Sequence, residues 1–195
     1  RNLSREPRGR TRTPRRSISM STQLPGNTGT PFETAQRKFL MNDSNGPYLF
    51  DVGVIALAHT DAPVREAGLD YVRAGIAGEI DAVVPYPAVI GAHTVLTTYY
   101  GQSNADASRL LGNFLDAERI HWHGDTSRDL VRDGFLRSHD ADIDGWDGYY
   151  AEVAATEGVN TVVTIDDDFE QFDEFDTEVV LSPEQFRELN RYLGD

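Results

Sequence analysis

The chain has no cysteine. That excludes disulfide scaffolds, thiolate zinc sites and cysteine nucleophiles. Its only lysine is Lys38, and its only methionines are Met20 and Met41. No apolar run approaches the roughly 18 residues that cross a bilayer. No apolar stretch follows the basic N-terminus either, so a secretory leader is not expected. A glycine-rich phosphate loop and a serine nucleophile elbow are both missing, which removes P-loop, dinucleotide and serine-hydrolase chemistry. What the chain has in excess is aspartate, 20 residues against 12 glutamates. Hydrophobic residues make up 39% of 195, enough for one core of ordinary size.

The net charge of −14 divides unevenly along the chain. Residues 1–40 carry nine basic residues against Glu6 and Glu33, a net of +7. Residues 41–195 carry nine arginines and 30 acidic residues, a net of −21. An acidic domain without lysine fits work in very high salt. There the Debye length falls to about 3 Å at 1 M, and self-repulsion is screened. The composition is therefore of a halophilic, haloarchaeal type.

Residues 1–45 are rich in Arg, Ser, Thr, Pro and Gly and lack apolar periodicity. Such text does not offset the entropy of ordering, so the segment is expected to be disordered. It reads either as a basic arm for nucleic acid or as an over-extended reading frame ahead of Met41. The folded domain is expected over 46–195.

From Tyr48 onward, short apolar runs alternate with helical stretches. Strands are expected at 48–52, 82–85, 120–123, 160–164 and 178–181. Helices are expected after Asp61, Pro87, Asn104, Thr126, Asp144 and Ser182, each opened by a capping residue or an early proline. Gly158 reads as a helix stop. This alternation implies an α/β, three-layer α/β/α fold around a central, mostly parallel sheet. Chemistry in such sheets collects at the carboxyl ends of the strands.

Two strands end in carboxylates. The first delivers Asp51, and the fourth runs into Asp166, Asp167 and Asp168. Asp147 falls in the first turn of its helix. Hard oxygen ligands gathered at strand ends suit Mg²⁺ or Mn²⁺. Without a metal they repel one another and raise their own pKa values.

Three segments together resemble the PIN domain family, of the kind found in VapC-type toxins of toxin–antitoxin pairs. They are Leu49-Phe50-Asp51-Val52-Gly53-Val54-Ile55, Asp147-Gly148-Tyr149-Tyr150-Ala151-Glu152-Val153-Ala154, and Gly158 to Phe169 with its Thr164-Ile165-Asp166-Asp167-Asp168-Phe169 turn. The resemblance implies a PIN-like fold and a cytoplasmic, metal-dependent ribonuclease that hydrolyses RNA phosphodiesters. It implies Asp51, Asp147 and Asp166 as catalytic metal ligands, Asp168 as a further ligand or outer partner, and Thr164 as a positioning group. Mg²⁺ or Mn²⁺ would be the cofactor. RNA, a cognate antitoxin and a second copy of the chain would be the partners.

Two positions depart from the family pattern. The family's glutamate in the helix after the second strand corresponds to Gly91, and Gly53 stands where a small polar residue is usual. The segment 87–101 holds no carboxylate, and His93 lies about 200° around the helix from Gly91. A degenerate, non-catalytic module that binds RNA or a protein is therefore the competing reading. His121 and His123 share one face of a strand and read as structural. Tyr99, Tyr100, Tyr149 and Tyr150 could stack on bases, but they fit a core equally well.

Overall fold

The β-branched and apolar runs of the sequence form a five-stranded, wholly parallel sheet. The computed structural model describes residues 46–194. The strands are β1 Tyr48–Phe50, β2 Ala82–Pro85, β3 His121–His123, β4 Thr161–Thr164 and β5 Asp176–Val179. Their order is β3-β2-β1-β4-β5. Chain direction across the sheet reverses between β1 and β4, and that is where open α/β sheets form a crevice.

Seven helices flank the sheet among the described residues: α1 Val52–Ala58, α2 Glu66–Ala77, α3 Tyr86–Thr98, α4 Asn104–Leu115, α5 Arg128–Ala141, α6 Gly145–Glu157 and α7 Pro183–Leu193. A short 3₁₀ turn, Asp168–Gln171, follows β4. The architecture is the three-layer α/β/α expected from the sequence. None of these helices is long and apolar enough to cross a membrane. The expectations for residues 1–45 lie outside the described residues.

The core explains why the strands read as unbroken apolar runs. β2 and β4 are buried at every position, because helices cover both faces of a parallel sheet. Leu49, Phe50, Val84, Val162 and Val163 pack with Tyr150, Val153 and Phe169 in one cluster. A smaller cluster of Leu57, Val64, Leu181, Phe186 and Leu189 seats α7 against α1.

Several boundaries differ from the sequence expectation, each for a local reason. The first strand stops at Phe50. Asp51 turns the chain and caps α1, a helix the sequence reading did not anticipate, by accepting from the Gly53 N–H. Asp61 caps nothing. Ala62 and Val64 are first drawn down against the α7 cluster, and α2 starts only at Glu66. Ser103 and Ser127 cap α4 and α5, one residue before and one after the expected Asn104 and Thr126. Two cap-competent residues adjoin in each case. The last strand lies two residues earlier than expected because its register pairs Asp176 with Thr161. Asp144, Gly158 and Ser182 play their expected parts, Ser182 within a full capping box with Gln185.

Helix α6 is positioned by glycine. A Cβ on Gly134 of α5 would stand 2.7 Å from the Tyr149 Cα, and one on Gly148 would meet the Gly134 carbonyl oxygen. The two helices thus touch backbone to backbone, which seats the first turn of α6, with Asp147 in it.

Candidate metal centre

The register between β1 and β4 builds the first half of the site. Phe50 pairs with Val163, so the next residues, Asp51 and Thr164, stand side by side at the carboxyl edge of the sheet. The Asp51 N–H donates to the Val163 carbonyl at 3.2 Å. The Thr164 hydroxyl donates to Asp51 Oδ2 at 2.7 Å. Asp166 Oδ1 lies 3.4 Å from the same hydroxyl. Thr164 is wholly buried and Asp51 is 3% exposed. A single buried threonine therefore links the carboxylates that follow the two central strands.

The second half comes from α6 and the turn after β4. Asp144 caps α6 through a 2.7 Å bond from the Trp146 N–H. Asp147 stands half-buried in the first turn behind it. Asp168 begins the 3₁₀ turn, with its N–H 3.4 Å from Asp166 Oδ1.

The charges of these groups act on one another. Burial, then the charge of Asp166, pushes the Asp51 carboxyl up to about 7, against the bonds from Thr164 and Gly53. Burial, then the charges of Asp51, Asp144, Asp166 and Asp168, pushes Asp147 up to about 9. Burial and Asp168 push Asp166 up to about 6. The charges that raise all three are other aspartates. Carboxylates buried together without a compensating cation are a costly arrangement in a folded protein. The donor set suits a hard divalent cation, which takes oxygen ligands and favours the ionised form. Among the described residues, no three His, Asp or Glu side chains stand in a ready coordination group.

The wall beside Gly91 and Gly53 is lined by apolar side chains. A Cβ at Gly91 would lie 2.8 Å from Val52 Cγ2 and 3.8 Å from the Tyr150 hydroxyl. A Cβ at Gly53 would lie 2.7 Å from Ile165 Cγ1. Val52 and Ile165 thus take up the space of side chains that these glycines lack. His93 points elsewhere, with Nε2 3.0 Å from the Ser108 hydroxyl of α4. His121 and His123 both clasp Glu157, at 3.1 and 2.6 Å, a structural role at the β3 edge of the sheet. Tyr149 and Tyr150 are buried, while Tyr99 is exposed. Sequence reasoning treated Tyr150 only as a core or stacking residue. Its spacing of three from Asp147, which puts both on one face of α6, was the available signal.

No protein-family model and no curated protein sequence matches the chain. Its fold does match a solved structure, the sarcin–ricin loop cleaving toxin VapC20 of Mycobacterium tuberculosis. The TM-score is 0.52 at 13% identity, over 64% of this chain and 93% of that one. The fold is PIN-like. At such low identity the likeness speaks for the architecture alone. In this PIN-like frame, Asp51, Thr164 and Asp166 occupy the crevice between β1 and β4.

Proposed function

We propose that the acidic corner binds Mg²⁺ or Mn²⁺ and that the protein is a metal-dependent ribonuclease of VapC type, hydrolysing RNA phosphodiesters. The observation that carries this reading is the cluster of Asp51, Asp147 and Asp166 beside the buried Thr164 hydroxyl, whose carboxyls are all raised by burial and by the charges of neighbouring aspartates. A corner that costs stability without a cation is expected to be kept for the cation. The PIN-like architecture and its neighbour, a toxin that cleaves the sarcin–ricin loop, support RNA as the substrate.

The residues divide the work by their attachments. Asp51 is held on both oxygens, by the Gly53 N–H and the Thr164 hydroxyl, and so presents its remaining lone pairs in a fixed direction. Asp166 and Asp147 supply oxygens from the β4 loop and from α6, with Asp168 behind Asp166. A bound divalent cation lowers the pKa of an attacking water and offsets charge on the phosphate oxygens. A carboxylate left free at the corner takes up the proton of that water. One backbone N–H at each of the α1 and α6 N-termini, that of Gly53 and that of Trp146, is bonded to its capping aspartate.

The cellular reading follows from the same resemblance: a cytoplasmic toxin with a cognate antitoxin, self-associating as a homodimer, in a high-salt cell. One observation favours the competing reading of a non-catalytic module that binds RNA or protein. On helix α3 the position that the resemblance matches to a fourth carboxylate is Gly91, and a Cβ there would meet Val52 at 2.8 Å. Cleavage of RNA in molar KCl with Mn²⁺ separates the two readings. The parent chain should cut, whereas Asp51→Asn and Asp166→Asn should not. Asp61→Asn, at a 94% exposed side chain, should cut as the parent does. Mn²⁺ binding without cleavage would establish the non-catalytic module.

A further inference from the structure

Tyr150 is wholly buried, and among the described residues its hydroxyl has no hydrogen-bond partner. Its neighbour Tyr149 is different, since that hydroxyl donates to the Asp125 carbonyl at 3.1 Å. Buried donors are normally satisfied, so an orphan calls for a reason. The hydroxyl lies 3.8 Å from the Cβ position of Gly91, and the charges of Asp51 and Asp147 both act on it. The ring is locked in place. Trp146 stacks on it at 6.1 Å, and Tyr149 meets it edge-on at 5.5 Å. Burial and the nearby carboxylates keep the phenol protonated, so it has a proton to donate. A buried donor beside Gly91 therefore lies near enough to Asp51 and Asp147 to feel their charge without bonding to either. An oxygen between them would satisfy both sides, as buried waters do at polar sites.

We propose that the Tyr150 hydroxyl holds a water oxygen in the acidic corner, donating to it beside Gly91. Tyr150 is then a positioning residue that orients this water against Asp51 and Asp147. The inference rests on the reading of the corner as a cation site. It also gives Gly91 a meaning. With no polar side chain from α3 at this place and Val52 against it, the phenol is the polar group on that wall.

The test compares Tyr150→Phe, Tyr149→Phe and Asp147→Asn with the parent full-length chain. Calorimetric Mn²⁺ titration in molar KCl and metal-free melting in chelator are the two measurements. Tyr150→Phe removes a hydroxyl that bonds to no protein group, so its metal-free melting should match the parent. Its Mn²⁺ affinity should fall by about five- to tenfold, tenfold being ~1.4 kcal/mol. Tyr149→Phe should do the reverse, melting lower and binding Mn²⁺ as the parent does. If the parent binds Mn²⁺ and Asp147→Asn does not, but Tyr150→Phe binds as tightly as the parent, the Tyr150 assignment alone falls. A Tyr150→Phe protein that melts as low as Tyr149→Phe overturns it too, because the hydroxyl then has a structural partner. A parent that binds no Mn²⁺ removes the cation site and the Tyr150 role together.

Discussion

Replacing Asp147 by Asn should stabilise the metal-free protein, and by more at mildly alkaline than at mildly acidic pH. In the fold the Asp147 carboxyl is pushed up to about 9, by burial first and then by Asp51, Asp144, Asp166 and Asp168. In the unfolded chain it titrates near ~3.9. Between those values the folded state holds a proton that the unfolded state has released. Stability therefore falls as pH rises through this window, the opposite of a salt-bridged carboxylate. One proton retained over the roughly three units from pH 5 to pH 8 is worth about 4 kcal/mol. Asp147 is half-buried, and solvent screening brings the expected loss to roughly 2–4 kcal/mol. That is a large share of a typical domain's stability of about 5–15 kcal/mol.

Asparagine keeps the shape and has no proton to lose. Urea unfolding in molar KCl with chelator, at about pH 5 and about pH 8, reads both stabilities by linear extrapolation. The parent should lose stability between the two, and Asp147→Asn should lose clearly less. Saturating Mg²⁺ at the higher pH should restore the parent by about 2.7 kcal/mol at a hundredfold excess over Kd. The variant should gain less. A parent equally stable at both pH values, or an Asp147→Asn protein that is weaker at the higher pH, would refute the claim that this corner is held against its own charge.

Three further outcomes are expected. The net charge of −21 over residues 41–195, with no lysine, should make the unfolding midpoint rise steeply across a KCl series; a flat series would remove the halophilic reading. A chain started at Met41 should fold with the same urea midpoint as the full chain, since residues 1–40 lack apolar periodicity and carry the opposite charge; failure to fold would make the basic segment structural. Gly91→Glu alone should destabilise by about 1–3 kcal/mol, because its Cβ would lie 2.8 Å from the stiff Val52 side chain, whereas adding Val52→Ala should recover the loss and strengthen Mn²⁺ binding. If Gly91→Glu is neutral by itself, Val52 does not guard that place.

The parts of the site that were legible in the sequence are those set by pattern and order. Thr161 to Thr164 is a β-branched run, and whatever follows a central parallel strand emerges at the carboxyl edge of the sheet. That rule is enough to bring Asp51 beside Thr164 once β1 and β4 pair. Asp147 was legible because a helix start can be read from its cap, and Asp144 is an unambiguous one. Where two candidate caps adjoin, as at Ser103 and Asn104, the sequence leaves a one-residue ambiguity that packing resolves. Asp61 was misread because capping preference carries no information about Ala62 and Val64 being pulled under α7.

The wall of the site was illegible for a different reason. Gly91 read as a missing ligand, a property of one position. In the fold it is half of a pair, since Val52 closes the space that the glycine leaves open. Tyr150 fits a core in any pattern analysis, and it is in the core. Only its unmatched hydroxyl, with Gly91 on one side and the aspartates acting on it, separates it from Tyr149. Hydropathy patterns rank residues by where their bulk goes, whereas chemistry depends on where their last polar atom is left. In this corner the two criteria diverge at Tyr150, so placing a carboxylate at Gly91 and removing the phenol at Tyr150 probe opposite sides of one small volume.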